Sequence, residues 1–237
     1  MGKRERNTVS AHSAVLFDVD GTLVDSNYLH VYAWRRAFAE LHLEVESWRI
    51  HRAIGMDGSE LVRVLSDDAS DDVRQRLKDL HSQYYLQSSA LLSPLPGARK
   101  LLERVAALGL AVVLATSAPD DELAVLRKVL GCDDLVAAVT SSADVDVAKP
   151  NPDIIGIALD RVGATAQRAV FVGDAVWDAQ ACLRAGVPSI CLLSGGVSRA
   201  ELETAGAAAV FDNAEDLLEH LDQTPIAGLT DGRGEHG

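Results

Sequence analysis

Ala14-Val15-Leu16-Phe17-Asp18-Val19-Asp20-Gly21-Thr22 joins a short apolar run to two aspartates and a glycine. A short apolar run that ends in polar residues predicts a buried strand. Two carboxylates two residues apart at its end project to similar sides, and close like charges favour a bound cation. Gly21 permits a tight turn whose backbone N–H groups can bind an anion. Because an Asp-Gly pair alone mostly indicates a turn, the chemical interpretation depends on the apolar run and the first aspartate before it.

Apolar runs of the same form recur along the chain, and most of them precede a loop and a stretch with apolar residues at helical spacing. They occupy residues 110–115, 135–139, 169–172, 189–193 and 208–211. Strands that alternate with helices of this length predict parallel βαβ units. We therefore expect an α/β fold with a doubly wound, mostly parallel sheet, whose active site lies at the carboxyl ends of its strands.

One segment interrupts this alternation, because residues 28–92 carry no convincing strand pattern. Helical patterns cover residues 28–43, 45–54, 59–65 and 70–91 instead. We interpret the segment as an all-helical cap domain inserted after the first strand, above the carboxyl edge of the sheet. The predicted domain boundaries are an N-terminal tail at 1–10, a catalytic core at 11–27 and 93–224, a cap at 28–92 and a C-terminal tail at 225–237.

Composition excludes several classes of function. The 237 residues include 22 basic and 35 acidic side chains, so the net charge of −13 argues against nucleic-acid binding. No apolar run is long enough to cross a membrane, and no apolar segment follows the basic residues after Met1 as a secretory signal requires. Three cysteines without a C-x-x-C pair indicate buried thiols in a reducing compartment. We expect a cytoplasmic protein that is a monomer or a homodimer.

Three further polar groups follow predicted strands or begin predicted helices. Thr116 comes directly after the second strand, Lys149 opens Lys149-Pro150-Asn151-Pro152-Asp153, and Asp174 and Asp178 follow the strand at 169–172. Taken singly, each has an ordinary explanation: a β-branched residue, a surface lysine or a helix cap. Together they fall where strands of one sheet present their carboxyl ends to a single point.

With these motifs in order, residues 14–222 resemble the haloacid dehalogenase superfamily of phosphotransferases. Asp18-Val19-Asp20-Gly21-Thr22 is similar to its first motif, and Thr116, Lys149 and the pair Asp174 and Asp178 are similar to the other three. The helical segment resembles the cap of the phosphoglycolate phosphatase and β-phosphoglucomutase-like subgroup. The resemblance implies a Rossmannoid core that acts on a small phosphorylated metabolite.

The resemblance also implies catalytic roles. Asp18 would be the nucleophile that forms an aspartyl-phosphate, since a carboxylate can attack phosphorus. Asp20 would be the general acid that protonates the leaving oxygen and then the base that activates water. Lys149 would neutralise phosphate charge and hold Asp18, and Thr116 would donate a hydrogen bond to a phosphoryl oxygen.

The implied cofactor is Mg²⁺, which prefers a few carboxylates, substrate phosphate and retained waters. By resemblance, its ligands are the side chain of Asp18, the backbone carbonyl of Asp20 and the carboxylate of Asp174. Asp178 would support these ligands or a bound water.

The sequence is compatible with more than one function. The dehalogenase and phosphonatase branches lack an acid where Asp20 stands, so a phosphatase is favoured. A β-phosphoglucomutase-type enzyme is an alternative, although Asp57 and Gly58 stand where its cap loop has Ser-Arg, and Ala118 replaces a serine. A receiver-like phospho-switch without enzymatic activity is a remote alternative, because such domains are about half as long and place the acceptor on a middle strand.

The residues of the cap that set specificity are not evident from the sequence. The side chains that could reach a substrate are His30, Tyr32, Trp34, Arg49, Arg52 and Arg63. His30 and Trp34 lie at i and i+4 of one predicted helix, which favours packing in the core or hinge. The loop Gly55-Met56-Asp57-Gly58 is expected to face the pocket, because paired glycines let the backbone approach a ligand.

Overall fold

A six-stranded sheet forms the centre of the protein, in a computed structural model that describes residues 12–67, 69–144 and 149–230. All strand pairs in it are parallel, and the order is β3-β2-β1-β4-β5-β6. The strands are β1 (His12–Phe17), β2 (Ala111–Ala115), β3 (Val136–Thr140), β4 (Ala164–Gly173), β5 (Ser189–Leu192) and β6 (Ala209–Phe211). The predicted α/β fold with a parallel sheet is confirmed.

Helices fill the connections between the strands. The first four follow β1: α1 (Asn27–Glu40), α2 (Ser47–Ala53), α3 (Gly58–Leu65) and α4 (Asp71–Gln87). The others cover the sheet: α5 (Ala98–Ala107), α6 (Asp120–Leu130), α7 (Asp153–Val162), α8 (Val176–Ala185), α9 (Arg199–Ala205), α10 (Ala214–Glu219) and α11 (Pro225–Gly228). Among the described residues, no helix combines the length and hydropathy that crossing a lipid bilayer requires.

Strand β1 shows why the first apolar run is continuous. Val15 and Phe17 belong to the hydrophobic core on one face of the sheet, and Ala14 and Leu16 belong to the core on the other face. Successive side chains of a strand point to opposite faces, so a central strand covered on both sides must be apolar at every position.

The strand order brings the polar motifs together. From β1 the chain builds the sheet outward through β2 and β3, and then returns to add β4, β5 and β6 on the other side. Ligands of such sheets bind where the order reverses, at the carboxyl ends of the strands. Phe17 pairs with Leu114 of β2 and Val172 of β4, so the residues that follow these strands meet at one edge.

Helices α1 to α4, here called the insertion, pack mainly on one another. Helix α1 packs along α4, and α3 packs against α4 as well. The side chain of Ser70 accepts a hydrogen bond from the N–H of Val73 and begins α4 as predicted. Helix α4 ends at Gln87, earlier than the predicted helix over 70–91. The N–H of Ser88 donates to the carbonyl of Tyr85, three residues back, and a 3₁₀ turn follows at Ser89–Leu91.

Two further boundaries differ from the sequence-based prediction. Strand β4 begins at Ala164 rather than at residue 169, and its first half alternates between half-buried and exposed residues. Residues 225–230, predicted as the start of a tail, are ordered: Thr224 caps α11, Pro225 occupies its first turn and Ile226 is buried. The predicted tails at 1–10 and 231–237 lie outside the described residues. Cys132, Cys182 and Cys191 are free and buried.

Candidate active site

A cavity of about 260 Å³ lies between the carboxyl edge of the sheet and the insertion. Its floor includes Asp18, Asp20, Thr116 and Lys149, all of them predicted from the sequence. Its opposite wall comes from α1, α3, α4 and the loop before α3. The chain therefore gathers residues from the ends of separate strands under a helical cover.

Lys149 is buried between two carboxylates. Its Nζ lies 2.9 Å from Oδ1 of Asp18 and 2.8 Å from Oδ1 of Asp178, and only 1% of its side chain is exposed. Burial alone would lower the pKa of Lys149, but Asp178 and Asp18 outweigh burial and raise it, so the amine is a cation. Burial raises the pKa of Asp18 to about 7, although Lys149 opposes this rise.

Asp178 connects this ion pair to the start of α8. Its Oδ2 accepts hydrogen bonds from the backbone N–H groups of Asp174 and Ala175, at 3.1 and 3.0 Å. A carboxylate at the N-terminus of a helix satisfies N–H groups that have no partner within the helix. Asp178 thus fixes both Lys149 and the backbone that carries Asp174.

Asp174 is held by Thr22 of the first motif and by Asn27 at the start of α1. Its Oδ1 accepts from the hydroxyl of Thr22 and its Oδ2 from the side-chain amide of Asn27, both at 2.8 Å. Gly21 has a φ of +71°, and a Cβ there would collide with Asn27 and Asp174. The glycine is therefore required both for the turn and for the close approach of these side chains.

The three carboxylates Asp18, Asp174 and Asp178, here called the carboxylate cluster, could hold a metal ion. One ligand oxygen from each lies within 4.8 Å of the others, and all three residues are buried. Burial and then Asp178 and Asp18 raise the pKa of Asp174 well above its ordinary value. Lys149 supplies one positive charge against three acids, so the donor set fits a hard divalent cation such as Mg²⁺.

The carboxyl group of Asp20 contacts Ser26 and the insertion. Its Oδ1 accepts hydrogen bonds from the hydroxyl of Ser26 at 2.6 Å and from Nε2 of His30 at 3.1 Å. Burial would raise the pKa of Asp20, but the charge and the hydrogen bond of His30 outweigh burial and lower it. With Oδ1 occupied twice, Oδ2 is the oxygen that can interact with a bound molecule.

Thr116 and Ser117 directly follow β2 and line the cavity. The Oγ1 of Thr116 accepts a hydrogen bond from the N–H of Ala118 at 3.0 Å, which leaves its proton available to a ligand. Ser117 was not predicted, and its buried hydroxyl has no hydrogen-bond partner within the described residues. Both side chains line the cavity beside Asp18.

Comparison with known proteins supports the interpretation of this cavity as an active site. A family model described as "Haloacid dehalogenase-like hydrolase" matches residues 15–192. The chain belongs to this family. The matched residues include the whole first motif, Asp18 to Thr22, and also Thr116, Lys149, Asp174 and Asp178.

Relatives within the family cover almost the whole chain. The chain is 33% identical over 218 residues to a phosphoglycolate phosphatase from Rhodospirillum rubrum, covering 88% of this chain and 90% of that protein. It is 30% identical to a phosphorylated carbohydrates phosphatase from Thermotoga maritima, covering 88% and 97%. A hydrolase from Pseudomonas syringae has a similar structure, with a TM-score of 0.86 and 37% identity, covering 90% and 99%.

Three buried residues of the cavity wall are His30, His81 and Glu122, and the last two were missed from the sequence. His30 was predicted to pack in the core or hinge; it is buried on α1, but it also contacts Asp20 and lines the cavity. His81 on α4 and Glu122 on α6 lie behind it. No local motif marks these two residues, because their neighbours come from distant parts of the chain.

The arginines of the insertion lie away from the cavity. Arg49 pairs with Glu46, Arg52 with Glu201 of α9 and Arg63 with Glu60. The predicted position of the loop Gly55-Met56-Asp57-Gly58 is confirmed, since all of its residues line the cavity. Lys78 of α4 also lines the cavity, and its Nζ donates to the hydroxyl of Ser59 at 3.1 Å.

Proposed function

We propose that this chain is a Mg²⁺-dependent phosphatase that hydrolyses a small phosphate monoester through an aspartyl-phosphate. The observation that carries the proposal is the floor of the cavity, where Asp18 lies against a buried lysine cation and beside Asp20. A nucleophilic carboxylate, a fixed cation and a second carboxyl group are the parts that phosphoryl transfer to an aspartate requires.

The first step forms a bond between an oxygen of Asp18 and phosphorus, while the bond from phosphorus to the ester oxygen breaks. Lys149 binds Oδ1 of Asp18 and holds the carboxylate in place. Lys149 and the hydroxyls of Thr116 and Ser117 would stabilise the negative charge on the phosphoryl oxygens. Groups that are fixed before the reaction stabilise such charge without reorganisation.

Asp20 would move the proton in both steps. In the first step, Oδ2 of a protonated Asp20 gives its proton to the departing alkoxide, which leaves as an alcohol. In the second, the Asp20 carboxylate takes a proton from water as the water oxygen attacks phosphorus and the bond to Asp18 breaks. Ser26 and His30 hold the carboxyl group through Oδ1, so that Oδ2 remains directed at the substrate.

Asp18 and Asp174 would hold the Mg²⁺ together with the backbone carbonyl of Asp20. When bound, the ion would neutralise phosphate charge and orient the phosphoryl group. Asp178 would act on the ligands indirectly, because both of its oxygens already bind Lys149 and backbone N–H groups.

The cavity wall supports a small substrate with a polar leaving group. Trp34, Met56 and Leu61 give it an apolar surface, and Lys78 provides a cation opposite the floor. A cation at this position suits the carboxylate of a phosphoglycolate-like ester or the hydroxyls of a sugar phosphate. A mutase would hold a second phosphate from the cap loop, where Asp57 uses its carboxylate to cap α3 instead.

A panel of phosphate monoesters tests the proposal. Protein freed of metal with a chelator and then dialysed would be assayed with and without Mg²⁺ on phosphoglycolate, sugar phosphates, nucleoside monophosphates and p-nitrophenyl phosphate. We expect release of inorganic phosphate that requires Mg²⁺ and favours one of the small esters. Turnover in excess chelator, or isomerisation of a sugar phosphate without phosphate release, would contradict the proposal.

A further inference from the structure

Glu122 is a buried acid in the wall of the cavity that the proposed reaction does not use. Only 1% of the residue is exposed, and it lies in the first turn of α6, where it lines the cavity. Its Oε1 has no hydrogen-bond partner within the described residues. A buried carboxylate without donors has lost its hydration without compensation. We therefore expect a donor to reach it from within the cavity.

Two protein donors lie near this carboxylate, and neither satisfies it. Nδ1 of His81 lies 3.6 Å from Oε1 of Glu122, slightly farther than in a normal hydrogen bond. The hydroxyl of Ser82 has a single proton, which it donates to Oδ2 of Asp121 at 3.2 Å. Because a carboxylate accepts at about four positions on its two oxygens, these neighbours leave most of its capacity unused.

His81 is held in place by contacts other than Glu122. Its ring stacks on Trp34 with centroids 4.0 Å apart and planes 15° from parallel. Its Nε2 lies 3.0 Å from Nδ1 of His30. Packing and this second contact fix the imidazole, so a shift toward Glu122 would break them.

A metal ion does not fit between these groups. Ligand atoms of His30, His81 and Glu122 lie within 4.8 Å of one another. The two rings, however, lie 16° from parallel with centroids 5.2 Å apart, so their nitrogens face each other along the line of the rings. Imidazole nitrogens that share a metal ion instead point at a common centre about 2 Å from each. The missing partner of Glu122 is therefore a hydrogen-bond donor.

The part of the cavity above the floor is where the leaving group would lie, since the phosphate must reach Asp18 and Lys149. Glu122 and Lys78 are polar residues of the wall around this space. Nζ of Lys78 donates to the hydroxyl of Ser59 at 3.1 Å and has two further protons. The whole cavity measures about 260 Å³, at the small end of ligand pockets, so the leaving group is a short one.

The wall thus offers an acceptor and a donor to the leaving group. A hydroxyl both donates and accepts, so a leaving group with more than one hydroxyl can satisfy Glu122 and Lys78 together. A carboxylate on the leaving group could pair with Lys78, but it would leave Glu122 without a donor and bring a second negative charge into a poorly solvated space. An ammonium group would face the like charge of Lys78.

We propose that Glu122 is a specificity-determining residue, whose carboxylate accepts a hydrogen bond from a hydroxyl of the leaving group. The enzyme would therefore prefer phosphate esters of a small polyol or sugar to those of a hydroxy acid. The inference rests on the proposed function, and it decides between the two substrate classes that Lys78 alone leaves open.

Three esters with the same three-carbon skeleton separate these classes. The leaving group of glycerol 3-phosphate has two hydroxyls, that of propyl phosphate has none, and that of 3-phosphoglycerate has one hydroxyl and a carboxylate. We compare their kcat/KM values in Glu122→Met, which removes the acceptor, and in Glu122→Gln, which keeps an acceptor oxygen without the charge. Burial raises the pKa of Glu122 to about 7, so assays at pH 8 keep the carboxyl group mostly ionised.

Asp120→Asn provides the matched control. Asp120 lies in the same turn of α6 and its Oδ1 accepts from the hydroxyl of Ser141 at 2.7 Å, but it is not among the residues that line the cavity. An effect of net charge alone would therefore appear in this variant as well. The thermal unfolding midpoint of each variant shows whether it is folded, and replacement of a buried charge by an apolar residue of similar volume is often neutral or stabilising.

We expect the wild type to have a kcat/KM for glycerol 3-phosphate about tenfold above that for either other ester. Glu122→Met should lower kcat/KM for glycerol 3-phosphate about tenfold more than for propyl phosphate. Glu122→Gln should keep the preference over propyl phosphate and raise the relative kcat/KM for 3-phosphoglycerate about tenfold. Asp120→Asn should keep all wild-type ratios.

Three results would overturn the proposal: wild-type ratios in Glu122→Met, shifted ratios in Asp120→Asn, or a wild type that prefers propyl phosphate or 3-phosphoglycerate. Mg²⁺-dependent hydrolysis of p-nitrophenyl phosphate by the wild type tests the proposed function separately from these ratios. If no ester at all is hydrolysed, the proposed function and this inference both fail.

Discussion

The carboxylate cluster and the row of His30, His81 and Glu122, here called the relay, are both buried and both adjoin the cavity, yet they are assembled differently. The cluster comes from the core alone: Asp18 and Asp174 directly follow β1 and β4, Asp178 lies in the first turn of α8, and Lys149 is the counter-charge. The relay alternates between the two parts: His30 and His81 belong to the insertion, and Glu122 belongs to the core. One is complete whenever the sheet is folded, whereas the other requires the insertion to rest on the core.

Because they are assembled differently, the carboxylate cluster and the relay can affect different parts of the reaction. A site built on one rigid sheet keeps the nucleophile and the metal ligands at fixed distances, as phosphoryl transfer requires. A row of hydrogen bonds that crosses between insertion and core is formed only when the cavity is covered. Asp20, which contacts the relay but lies on the core, is therefore the point where the position of the insertion can affect the chemistry.

Asp18→Asn should have the largest effect, because it removes the attacking carboxylate and keeps its size. We expect kcat on p-nitrophenyl phosphate to fall by about 10³-fold or more. Asp178→Asn serves as comparison, since it removes a carboxylate of the cluster that is not the nucleophile. Substantial turnover by pure Asp18→Asn protein would place the nucleophile elsewhere.

Asp174→Ala should weaken Mg²⁺ dependence and activity together, with a loss of about a hundredfold or more at saturating substrate. Thr22→Val, which removes one hydrogen bond to Asp174 but no ligand, should lose about tenfold. Titration of the activity of each variant with Mg²⁺ measures its metal dependence and its maximal rate. Ca²⁺ should inhibit the wild type, because the coordination shell of Ca²⁺ is larger and less regular than that of Mg²⁺. Equal Mg²⁺ affinity in all three proteins would contradict the assignment.

Glu122→Gln should change how stability depends on pH. Burial raises the pKa of Glu122 from 4.5 to about 7. The folded state therefore holds this proton when the unfolded state has lost it, and stability decreases as pH rises between these two values. The wild type should lose up to about 3 kcal/mol through this group between pH 5 and 8, and the variant should not. Urea unfolding at pH 5 and pH 8 measures the free energy of unfolding of the wild type and of the variant. A wild type and a variant that differ by the same amount at both pH values would contradict a buried, titrating Glu122.

Gly58→Arg should have the smallest effect on chemistry and act mainly on substrate choice. Gly58 begins α3 and lines the cavity, and a Cβ there would lie 3.5 Å from Trp34, an ordinary contact. We expect the ratios of kcat/KM within the ester panel to shift about tenfold, while the smallest ester keeps most of its rate. Gly58→Ala separates the effect of the backbone from that of the side chain. An unchanged ranking, or loss of activity on every ester, would show that this loop does not select substrates.

The contrast between locally encoded and tertiary arrangements also explains how much of the fold and of the site could be predicted from the sequence. Strands β1 and β2, the insertion and the positions of Asp18 and Asp174 follow from local patterns, since apolar runs and strand ends are read over a few residues. Residues 225–230 were misjudged because their order depends on a distant contact, between the hydroxyl of Ser13 and the carbonyl of Leu229. His81 and Glu122 could not be found, because a histidine and a glutamate within amphipathic helices resemble solvated residues until the tertiary structure buries them.

The identity of the phosphorylated residue tests the central claim most directly. Asp20→Asn removes the base of the second step, so with p-nitrophenyl phosphate, whose leaving group needs no proton, the phosphoenzyme should accumulate. Acid quench within one turnover, digestion and mass spectrometry should then find one phosphoryl group on the peptide that contains Asp18, and none in the double variant Asp18→Asn with Asp20→Asn. A phosphoryl group on another residue, or a burst of p-nitrophenol without any phosphorylated peptide, would contradict the account.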